Sequence, residues 1–479
     1  MASPNANNPP KLISFSASTS SNHNTHQLVV KTRNLYIAVI ISSFCAFCFG
    51  TTVGWTNPAE NLVLKRNAHK FKPTKTQWDW ICLMLPLGVI IWCLPMGALM
   101  KYHGCKPLMF LQVVPYTVGW ILFIYADNIY MLYVGRFLQG MCGAAVSVAV
   151  PVYLDEISQW QYRGFIGSFY FGAFLYGIIY SNIMIEYIRL QTVYAINIGL
   201  ALLCLLLKII PESPMRYVCN NKLDKARDTL IWLRVKDHDV DKELMALSRV
   251  IENEMEPSVG CWTELKRTGS LRAVLKSSVL MCLHQSGGGV VIIYYLDNIL
   301  SDVAKGQCMS CRLWVCFFMC LGHLICVLLV ERTGRRPLLL VSTVIMSISS
   351  LYLCCWFRWS ASSGWHASTR MIVYVFVGAY AMGLGPIACL LNVELIVAPA
   401  RPYGCATANL FSWLTVFLMV TWLTFRLHHH VVFYLMLVIC LVVLLFDIVF
   451  LPETKGLSPL QIKRRLAPTF VEYSSDESS

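Results

Sequence analysis

The stretch that decides the fold is Pro151-Val-Tyr-Leu-Asp-Glu-Ile-Ser-Gln-Trp-Gln-Tyr-Arg-Gly164. Within it, Glu156 and Arg163 stand seven residues apart, where one long apolar run ends and the next begins. The same arrangement returns as Glu394 and Arg401, again between two apolar runs and about 240 residues further along. An acid and a base at the mouths of apolar segments, present twice, predict a moving part rather than a reaction centre.

Two further sequence marks repeat with nearly the same separation. They are Gly104-Cys105-Lys106 with Gly334-Arg335-Arg336, and Pro211-Glu212-Ser213-Pro214 with Pro452-Glu453-Thr454-Lys455. Coincidence does not keep three marks in step, so the chain is predicted to contain two homologous halves of about 240 residues each.

The composition indicates a membrane protein. Of the 479 residues, 56% are hydrophobic and 14% charged, and the mean hydropathy is +0.57, which is too apolar for a soluble core. Runs of about 20 apolar residues are long enough to cross a bilayer, where only a helix satisfies its own backbone. Twelve windows qualify: 34–55, 77–100, 108–126, 129–154, 165–187, 192–210, 273–296, 309–330, 337–357, 370–392, 404–426 and 430–451.

These windows predict an all-α membrane protein in which two six-helix bundles are joined by a cytosolic helical linker. The predicted segments are a disordered cytosolic tail (1–33), the first bundle (34–210), the linker (211–271), the second bundle (272–451) and a cytosolic tail (452–479). An even number of spans places both termini on one side, and Lys and Arg at the loops of that side indicate the cytosol. Basic residues between the first two windows oppose this orientation: Lys65, Arg66, Lys70, Lys72 and Lys75.

The linker contains a run with helical periodicity, Leu223 to Leu233. Its apolar positions are Leu223, Ala226, Leu230 and Leu233, which predicts a short amphipathic helix packed under the bundles. A solvated linker with some helix is the alternative. The net charge of +13 comes from basic residues scattered at helix ends, so membrane topology explains it and no nucleic-acid partner is predicted.

Further motifs appear in a fixed order along the chain. They are Gly135-Arg136, Pro151-x-Tyr153-x-x-Glu156 with Arg163-Gly164, Pro-Glu-Ser-Pro at 211–214, Glu331-Arg332-x-Gly334-Arg335-Arg336, Gly385-Pro386-Ile387, Glu394 with Arg401-Pro402, and Pro452-Glu453-Thr454-Lys455-Gly456. In these motifs the chain resembles the sugar-porter branch of the major facilitator superfamily, and its overall character is similar to insect facilitative trehalose and hexose transporters. The resemblance implies two bundles that open a central cavity alternately to each side.

Charged residues at the helix mouths are the predicted gating elements. They are Arg136, Glu156, Arg163, Glu331, Arg332, Arg335, Arg336, Glu394 and Arg401, all but the deeper Arg136 at the cytosolic rim. Opposite charges there hold the bundles together when the inner mouth is shut; the alternative is that they merely anchor helix ends at the headgroups. In proton-coupled relatives the partner of Arg136 is an acid on the first helix. Here Thr52 stands in that place, which favours downhill uniport over symport.

The substrate site departs from the pattern of hexose facilitators. Phe171 stands where the resemblance implies a Gln, the seventh helix reads Leu283-His-Gln-Ser-Gly-Gly-Gly289 with two amides missing, and Cys389 replaces a Trp. Because a sugar needs many polar partners, the cavity is predicted to be less polar than a glucose site. The candidate substrate contacts are His284, Gln285, Ser286, Asn409, Ser412, Trp413 and Ser147, with interhelical hydrogen bonding as the alternative for each.

Glycines are the predicted bending points, namely Gly287, Gly288 and Gly289, together with Gly385 and Pro386. The alternatives are a close approach of ligand to backbone, or packing. His323 is predicted to be a core histidine. Cys45 and Cys48 lie within the first span, so no metal site is predicted there, whereas Cys308 and Cys311 are candidates for a disulfide in an outward loop.

The sequence therefore predicts a plasma-membrane, multi-pass facilitator of a small neutral carbohydrate, a hexose or a trehalose-like disaccharide. No enzymatic activity, cofactor or metal is predicted, and the expected partners are the substrate and the lipid bilayer. Two alternatives stay open: the same fold carrying a non-sugar organic solute, and a sensor or scaffold that binds without transporting.

Overall fold

The computed structural model describes residues 33–65, 71–235, 239–254, 268–289, 299–301, 303, 309–360, 366–396, 400–424, 429–457, 461–462 and 465. The described chain is nearly all helical. The predicted tails at 1–33 and 452–479 lie largely outside these residues.

The helices of the first half follow the apolar windows closely. They are α1 Arg33–Gly54, α2 Thr56–Lys65, α3 Lys75–His103, α4 Cys105–Leu111, α5 Val113–Ile124, α6 Ile129–Ile157, α7 Arg163–Tyr187 and α8 Leu190–Leu203, with a 3-10 turn at Cys204–Lys208. The helix α6 ends and α7 begins between Glu156 and Arg163, as the charge spacing predicts.

The linker and the second half continue the same plan. The linker contains α9 Pro214–Cys219, α10 Leu223–Leu233 and α11 Val240–Glu254. The second half contains α12 Thr268–His284 with a π turn at Gln285–Gly289, α13 Met309–Thr333, α14 Arg335–Cys355 with a π turn at Trp356–Ser360, α15 His366–Met382, α16 Leu384–Glu394, α17 Arg401–Thr424 and α18 His429–Val449.

Eleven helices in the described residues are long and apolar enough to cross a membrane. They correspond to eleven of the twelve predicted windows. The remaining window, 273–296, is described as helix and π turn up to Gly289, and residues 290–296 lie outside the description.

In both halves, one helix begins with the same glycine turn, and a carboxylate caps it. Gly104 and Gly334 have φ of 96° and 100°, a left-handed conformation that glycine adopts without strain. A partly buried carboxylate then accepts from the helix's first amides: Glu212 lies 3.1 Å from Lys106 N, and Glu453 lies 3.0 Å from Arg336 N. A Cβ on either glycine would come within 3 Å of that carboxylate. The repeated tetrapeptides therefore cap the repeated glycine turns.

The basic residues that follow the two glycine turns, Lys106 and Arg336, also make equivalent hydrogen bonds in the two halves. Lys106 donates to the carbonyl of Ile210 at 2.6 Å, and Arg336 donates to the carbonyls of Asp447 and Ile448. In this way the last span of each half is tied to the start of an earlier helix. The structural repeat thus extends to individual hydrogen bonds.

The linker helix α10 begins and ends where the periodicity predicts. Ala226, Leu230 and Leu233 are buried, but Leu223 is 48% exposed, so the predicted apolar face is wrong at its first position. Leu223 is the first residue of the helix, and a side chain at a helix end is not held against the neighbouring elements. The linker docks on the first bundle because Arg234 donates to the carbonyl of Ile157 at 2.8 Å.

Candidate functional site: a central cavity and a charged rim

A narrow cavity lies between the two halves, near the middle of the spans. Its volume is about 40 Å³. Six of the seven candidate substrate contacts line it: Ser147, His284, Gln285, Asn409, Ser412 and Trp413. The rest of the lining is mostly apolar and aromatic: Phe49, Val53, Tyr170, Phe171, Phe174, Met281, Tyr380, Cys389 and Val416.

The seventh candidate, Ser286, takes a different position. Its hydroxyl donates to the carbonyl of Cys282 one turn earlier at 2.9 Å, and it is not part of the cavity lining. A serine hydroxyl in an apolar helix commonly donates to the backbone carbonyl one turn earlier. The prediction of Ser286 as a substrate contact therefore finds no support in the geometry.

The imidazole of His284 is held by a tyrosine that the sequence analysis did not single out. Its Nε2 lies 2.8 Å from the Tyr380 hydroxyl, and the two rings are stacked with centroids 5.6 Å apart. Nδ1 is buried and has no hydrogen-bond partner in the described structure. A fixed ring with one unused nitrogen at a cavity wall is suited to bind a ligand hydroxyl.

Asn409 links the halves at the cavity. Its amide nitrogen donates to the carbonyl of Ser147 on α6 at 3.2 Å and to that of Cys405 in its own helix at 2.9 Å. Both amide protons are therefore used within the protein, and the amide oxygen is left for a ligand. Ser412 Oγ is fully buried and has no partner among the described residues.

Aromatic pairs between the halves bound the cavity. Phe49 of α1 meets Trp413 of α17 with centroids 5.5 Å apart, and Phe171 of α7 meets Tyr380 of α15 at 6.1 Å. The Phe171 ring fits against Gly385, where an added Cβ would stand 2.3 Å from its Cζ. The absence of a side chain at Gly385 therefore allows the two bundles to approach closely.

One predicted bending point lies in irregular helix, and the other lies just after a break between two helices. At Gln285–Gly289 the chain forms a π turn that leaves helical geometry at Gly288. The span formed by α15 and α16 is interrupted at Gly383, two residues before Gly385, and Gly385 and Pro386 lie in the first turn of α16. Such interruptions are common at functional sites and at hinges. Whether they move stays a prediction.

At the rim, an acid outside the predicted set contacts both arginines of the repeated motif. Asp155 Oδ2 lies 2.8 Å from Arg401 Nη2 of the other half, and Asp155 Oδ1 lies 3.4 Å from Arg163 Nε. Glu156 is 3.9 Å from Arg401 and accepts from the Ser213 hydroxyl. In the sequence, Asp155 could have been recognised as a rim residue because it is a second carboxylate, next to Glu156, at the end of the same apolar run.

The second half supplies a different cluster at the same rim. Arg335 is buried between Glu394 at 2.9 Å and Glu331 at 3.0 Å. Glu394 also accepts from the Thr454 hydroxyl at 2.6 Å, which repeats the contact between Glu156 and Ser213. Glu331 crosses to the first half by accepting from Phe165 N at 3.0 Å. The Glu156 and Glu394 neighbourhoods thus lie on one face of the molecule.

The corresponding part of the first half lacks these charges. Cys105 stands at the repeat position of Arg335, and Lys101 at that of Glu331. Lys101 makes a different contact across the boundary, with its Nζ 5.5 Å from the ring centroid of Tyr403. The rim is therefore asymmetric, and the first half contributes its acid through Asp155.

Three of the predicted gating residues have other surroundings. Arg332 is exposed, and its carbonyl accepts from Lys455 at 2.6 Å. Arg336 secures the end of α18, as described above. Arg136 is buried inside the first bundle, where it donates to the Thr52 carbonyl at 2.6 Å and to the Thr56 hydroxyl, and lies over the Trp55 ring.

The helices α7 and α13 also join the halves away from the rim. Both ring nitrogens of His323 are engaged, Nδ1 with the Tyr176 hydroxyl at 3.1 Å and Nε2 with the Ser168 carbonyl at 3.2 Å, as expected of a core histidine. At the end opposite the rim, Glu186 and Arg312 lie 2.6 Å apart. Cys311 is disulfide-bonded, and its predicted partner Cys308 lies outside the described residues. Within the described ranges, no cluster of His, Cys, Asp and Glu could hold a metal ion.

Comparison with solved structures defines the fold. A structure of the proton:xylose symporter XylE bound to 6-bromo-6-deoxy-D-glucose matches with a TM-score of 0.77 over 90% of this chain and 99% of that chain, at 16% identity. The inward-open structure of XylE from E. coli matches with a TM-score of 0.64 over the same shares. The fold is therefore the twelve-helix fold of the major facilitator superfamily.

Sequence comparison gives the family. A model described as "Sugar (and other) transporter" matches residues 37–466. Glucose transporter type 3 of Drosophila melanogaster is 35% identical over 93% of this chain and 90% of its own length. The facilitated trehalose transporter Tret1 of Anopheles gambiae is 29% identical over 90% of this chain, which spans 56% of that relative. The chain belongs to the sugar transporter family and is a membrane transporter rather than an enzyme.

Proposed function

We propose that this protein carries a small neutral carbohydrate, a hexose or a trehalose-like disaccharide, by alternating access. The observation that carries the proposal is the cavity between the halves, bordered by cross-boundary aromatic pairs and set apart from a rim of buried ion pairs. The printed names of the relatives, glucose and facilitated trehalose transporters, agree with this cargo.

The size of the cavity supports a cycle of opening and closing. A volume of about 40 Å³ holds roughly three water-sized spheres, at about 10–15 Å³ for each. A sugar is larger, so the halves must separate to admit it. At the rim, Arg401 of the second half pairs with Asp155 and approaches Glu156 of the first half, and breaking these contacts would open the cavity to that face.

We infer uniport from Thr52. The threonine stands on the first helix next to Arg136 and carries no acidic proton. A carrier without a proton site here moves its cargo downhill, and the direction of net flux follows the sugar gradient.

We place the rim and both termini in the cytosol and the protein in the plasma membrane. The basic residues at the rim support this orientation, and Lys75 of the opposite loop is paired with Glu60 and Asp79, which reduces the excess positive charge there. The proposed units are the bundles at 34–210 and 272–451, the linker at 211–271 and the tails at 1–33 and 452–479.

The proposed substrate contacts are the cavity residues His284, Gln285, Asn409, Ser412 and Trp413, with Ser147 holding Asn409. Trp413 offers a flat apolar face for the ring of a sugar. The glycines at 287–289 and the Gly385–Pro386 pair are the proposed bending points.

A second cargo class is favoured by the aromatic lining. A non-sugar organic solute with a few polar groups would also fit walls formed by Phe49, Phe171 and Tyr380. This rival keeps the fold and changes only the solute.

Uptake of labelled glucose and labelled trehalose in oocytes, with and without a pH gradient, tests the proposal. Saturable uptake that does not respond to the gradient is expected. Uptake driven by protons would overturn uniport, and binding without flux would indicate a sensor. Failure to take up either sugar, with the protein present at the cell surface, would reject carbohydrate transport.

A further inference from the structure

We infer that the cavity selects a carbohydrate with few free hydroxyls and a large apolar face, such as a deoxy sugar or a glycoside with an apolar substituent, and that His284 sets this preference. The inference rests on the proposed function, because it specifies the class of sugar that the same cavity binds.

The first support is the small number of polar groups that the cavity can offer. Asn409 donates both amide protons to backbone carbonyls of the protein. Ser147 Oγ donates to the carbonyl of Ala144 at 3.3 Å, and the Tyr380 hydroxyl is bonded to His284. The groups left for a ligand are His284 Nδ1, Ser412 Oγ, the Tyr170 hydroxyl, the Gln285 amide and the Asn409 oxygen.

A hexose carries five hydroxyls, each of which is both a donor and an acceptor. The five protein groups do not match all of these roles, because His284 Nδ1 and the Asn409 oxygen each offer only one of the two, so some hydroxyls would face Phe171, Phe49 or Met281. An apolar wall discriminates against an added hydroxyl by up to about a hundredfold. Removing or capping such a hydroxyl therefore improves binding.

The second support is that the imidazole ring of His284 is held in a fixed orientation. The Tyr380 hydroxyl and the stacked Tyr380 ring fix the imidazole, so its free Nδ1 points in one direction only. Nδ1 is a donor in one tautomer and an acceptor in the other, and either form pairs with one hydroxyl. A flexible amide in this place would offer a donor and an acceptor together, and would satisfy a more hydroxylated sugar.

The chain provides a matched control in His323. Both histidines are buried and bonded to a tyrosine hydroxyl, but both nitrogens of His323 have partners and its ring does not line the cavity. His284→Gln and His323→Gln are the same chemical change, and only the first adds an amide to the cavity. Phe171→Gln adds an amide to the part of the cavity wall that the first half supplies, as a second variant should His284→Gln fail to fold.

The experiment measures inhibition of labelled 2-deoxy-D-glucose uptake by D-glucose, 3-deoxy-D-glucose, 6-deoxy-D-glucose and phenyl β-D-glucoside, corrected for surface expression. In the unmodified protein, at least one of the substituted sugars is expected to inhibit about tenfold more strongly than D-glucose. His284→Gln and Phe171→Gln are expected to reduce this ratio several-fold, and His323→Gln to leave it unchanged.

The inference is overturned if D-glucose inhibits at least as well as every substituted sugar in the unmodified protein. It is also overturned if the ratio stays the same in both amide variants. Either result leaves sugar transport itself intact. Failure of the unmodified protein at the cell surface to take up labelled 2-deoxy-D-glucose, glucose or trehalose instead rejects the proposed function.

Discussion

Arg401 Nη2 lies 2.8 Å from Asp155 Oδ2 across the boundary between the two halves, and both side chains are about 97% buried or more. This pair, with Arg163 on the other oxygen of the same carboxylate, is the closest ionic contact that the first half makes with Arg401. Because a buried charge is costly without its partner, opening the rim separates charges that are well matched only when it is shut.

Replacing Asp155 by Asn is expected to weaken the shut rim and to slow transport about tenfold, because one buried charge loses its partner. Breaking such a pair typically costs about 3–5 kcal/mol in the state that contains it. Arg401→Gln should have a similar effect, and the double variant should be no worse than the worse single one. Uptake rates at matched surface expression measure this coupling, and additive losses would contradict it.

Cys105→Arg restores to the first half the residue that Arg335 provides in the second. By the repeat, its guanidinium should reach Glu156 as Arg335 reaches Glu394 at 2.9 Å. Because this new pair lies within the first half, the guanidinium is expected to draw Glu156 away from Arg401 of the other half, which lies 3.9 Å from it, and so to lower the turnover several-fold. Cys105→Ser is the control, since it keeps the size and adds no charge. An unchanged turnover with normal surface expression would argue against the rim as a gate.

Gly385→Ala places a methyl group 2.3 Å from Phe171 Cζ of the other half, at the wall of the cavity. Overpacking of this kind costs about 1–3 kcal/mol, and here the cost falls on the state in which the halves touch. Transport is expected to fall about tenfold, and Phe171→Leu in the same chain should restore part of it. Gly199→Ala is the control, because a Cβ there meets nothing within 4 Å. Equal effects of the two alanines would contradict the prediction.

Glu212 gives the folded protein a pH dependence with a defined sign. Burial raises the pKa of this carboxyl, and the amides of Ser213, Lys106 and Cys105 oppose the rise without cancelling it. The folded chain therefore binds a proton here at a higher pH than the unfolded chain, so the group's contribution to stability is greatest in acid and is lost as the pH rises through the raised pKa.

Glu212→Gln should accordingly reduce the loss of melting temperature between mildly acidic and neutral buffer. Asp241→Asn is the contrast: the hydrogen bond from Arg227 lowers the pKa of that exposed carboxyl, so its contribution has the opposite sign. If Glu212→Gln leaves the change of melting temperature with pH unaltered, the pH dependence does not come from Glu212.

The cavity shows which parts of the site could be predicted from the chain. His284, Gln285, Asn409 and Trp413 were recognisable because polar or aromatic residues in apolar spans stand out. Tyr380 was not, since a tyrosine in an apolar window has no signal that separates a packing role from a site role. Ser286 has the same composition signal as Ser412, yet it bonds to its own helix while Ser412 faces the cavity.

At the rim, too, some residues could be predicted from the sequence and others were identified only by the structure. Glu394, Arg335 and Arg401 are marked by their spacing and repeat, and the structure gathers them at one face. The choice of Asp155 over its neighbour Glu156 as the closer partner of Arg401 depends on a rotation of about 100° between successive residues of a helix. Spacing along the chain does not fix the angle at which α6 faces the other half.

The sequence by itself determined the helices and the linker helix, because apolar periodicity and turn residues act over a few neighbouring positions, and it determined the two-fold repeat and the family through motifs that recur in a fixed order. Only the tertiary structure decided which carboxylate meets Arg401, which hydroxyls face the cavity and that Phe171 fits against Gly385. These contacts join residues more than a hundred positions apart, and their geometry follows from how whole helices pack rather than from any local pattern.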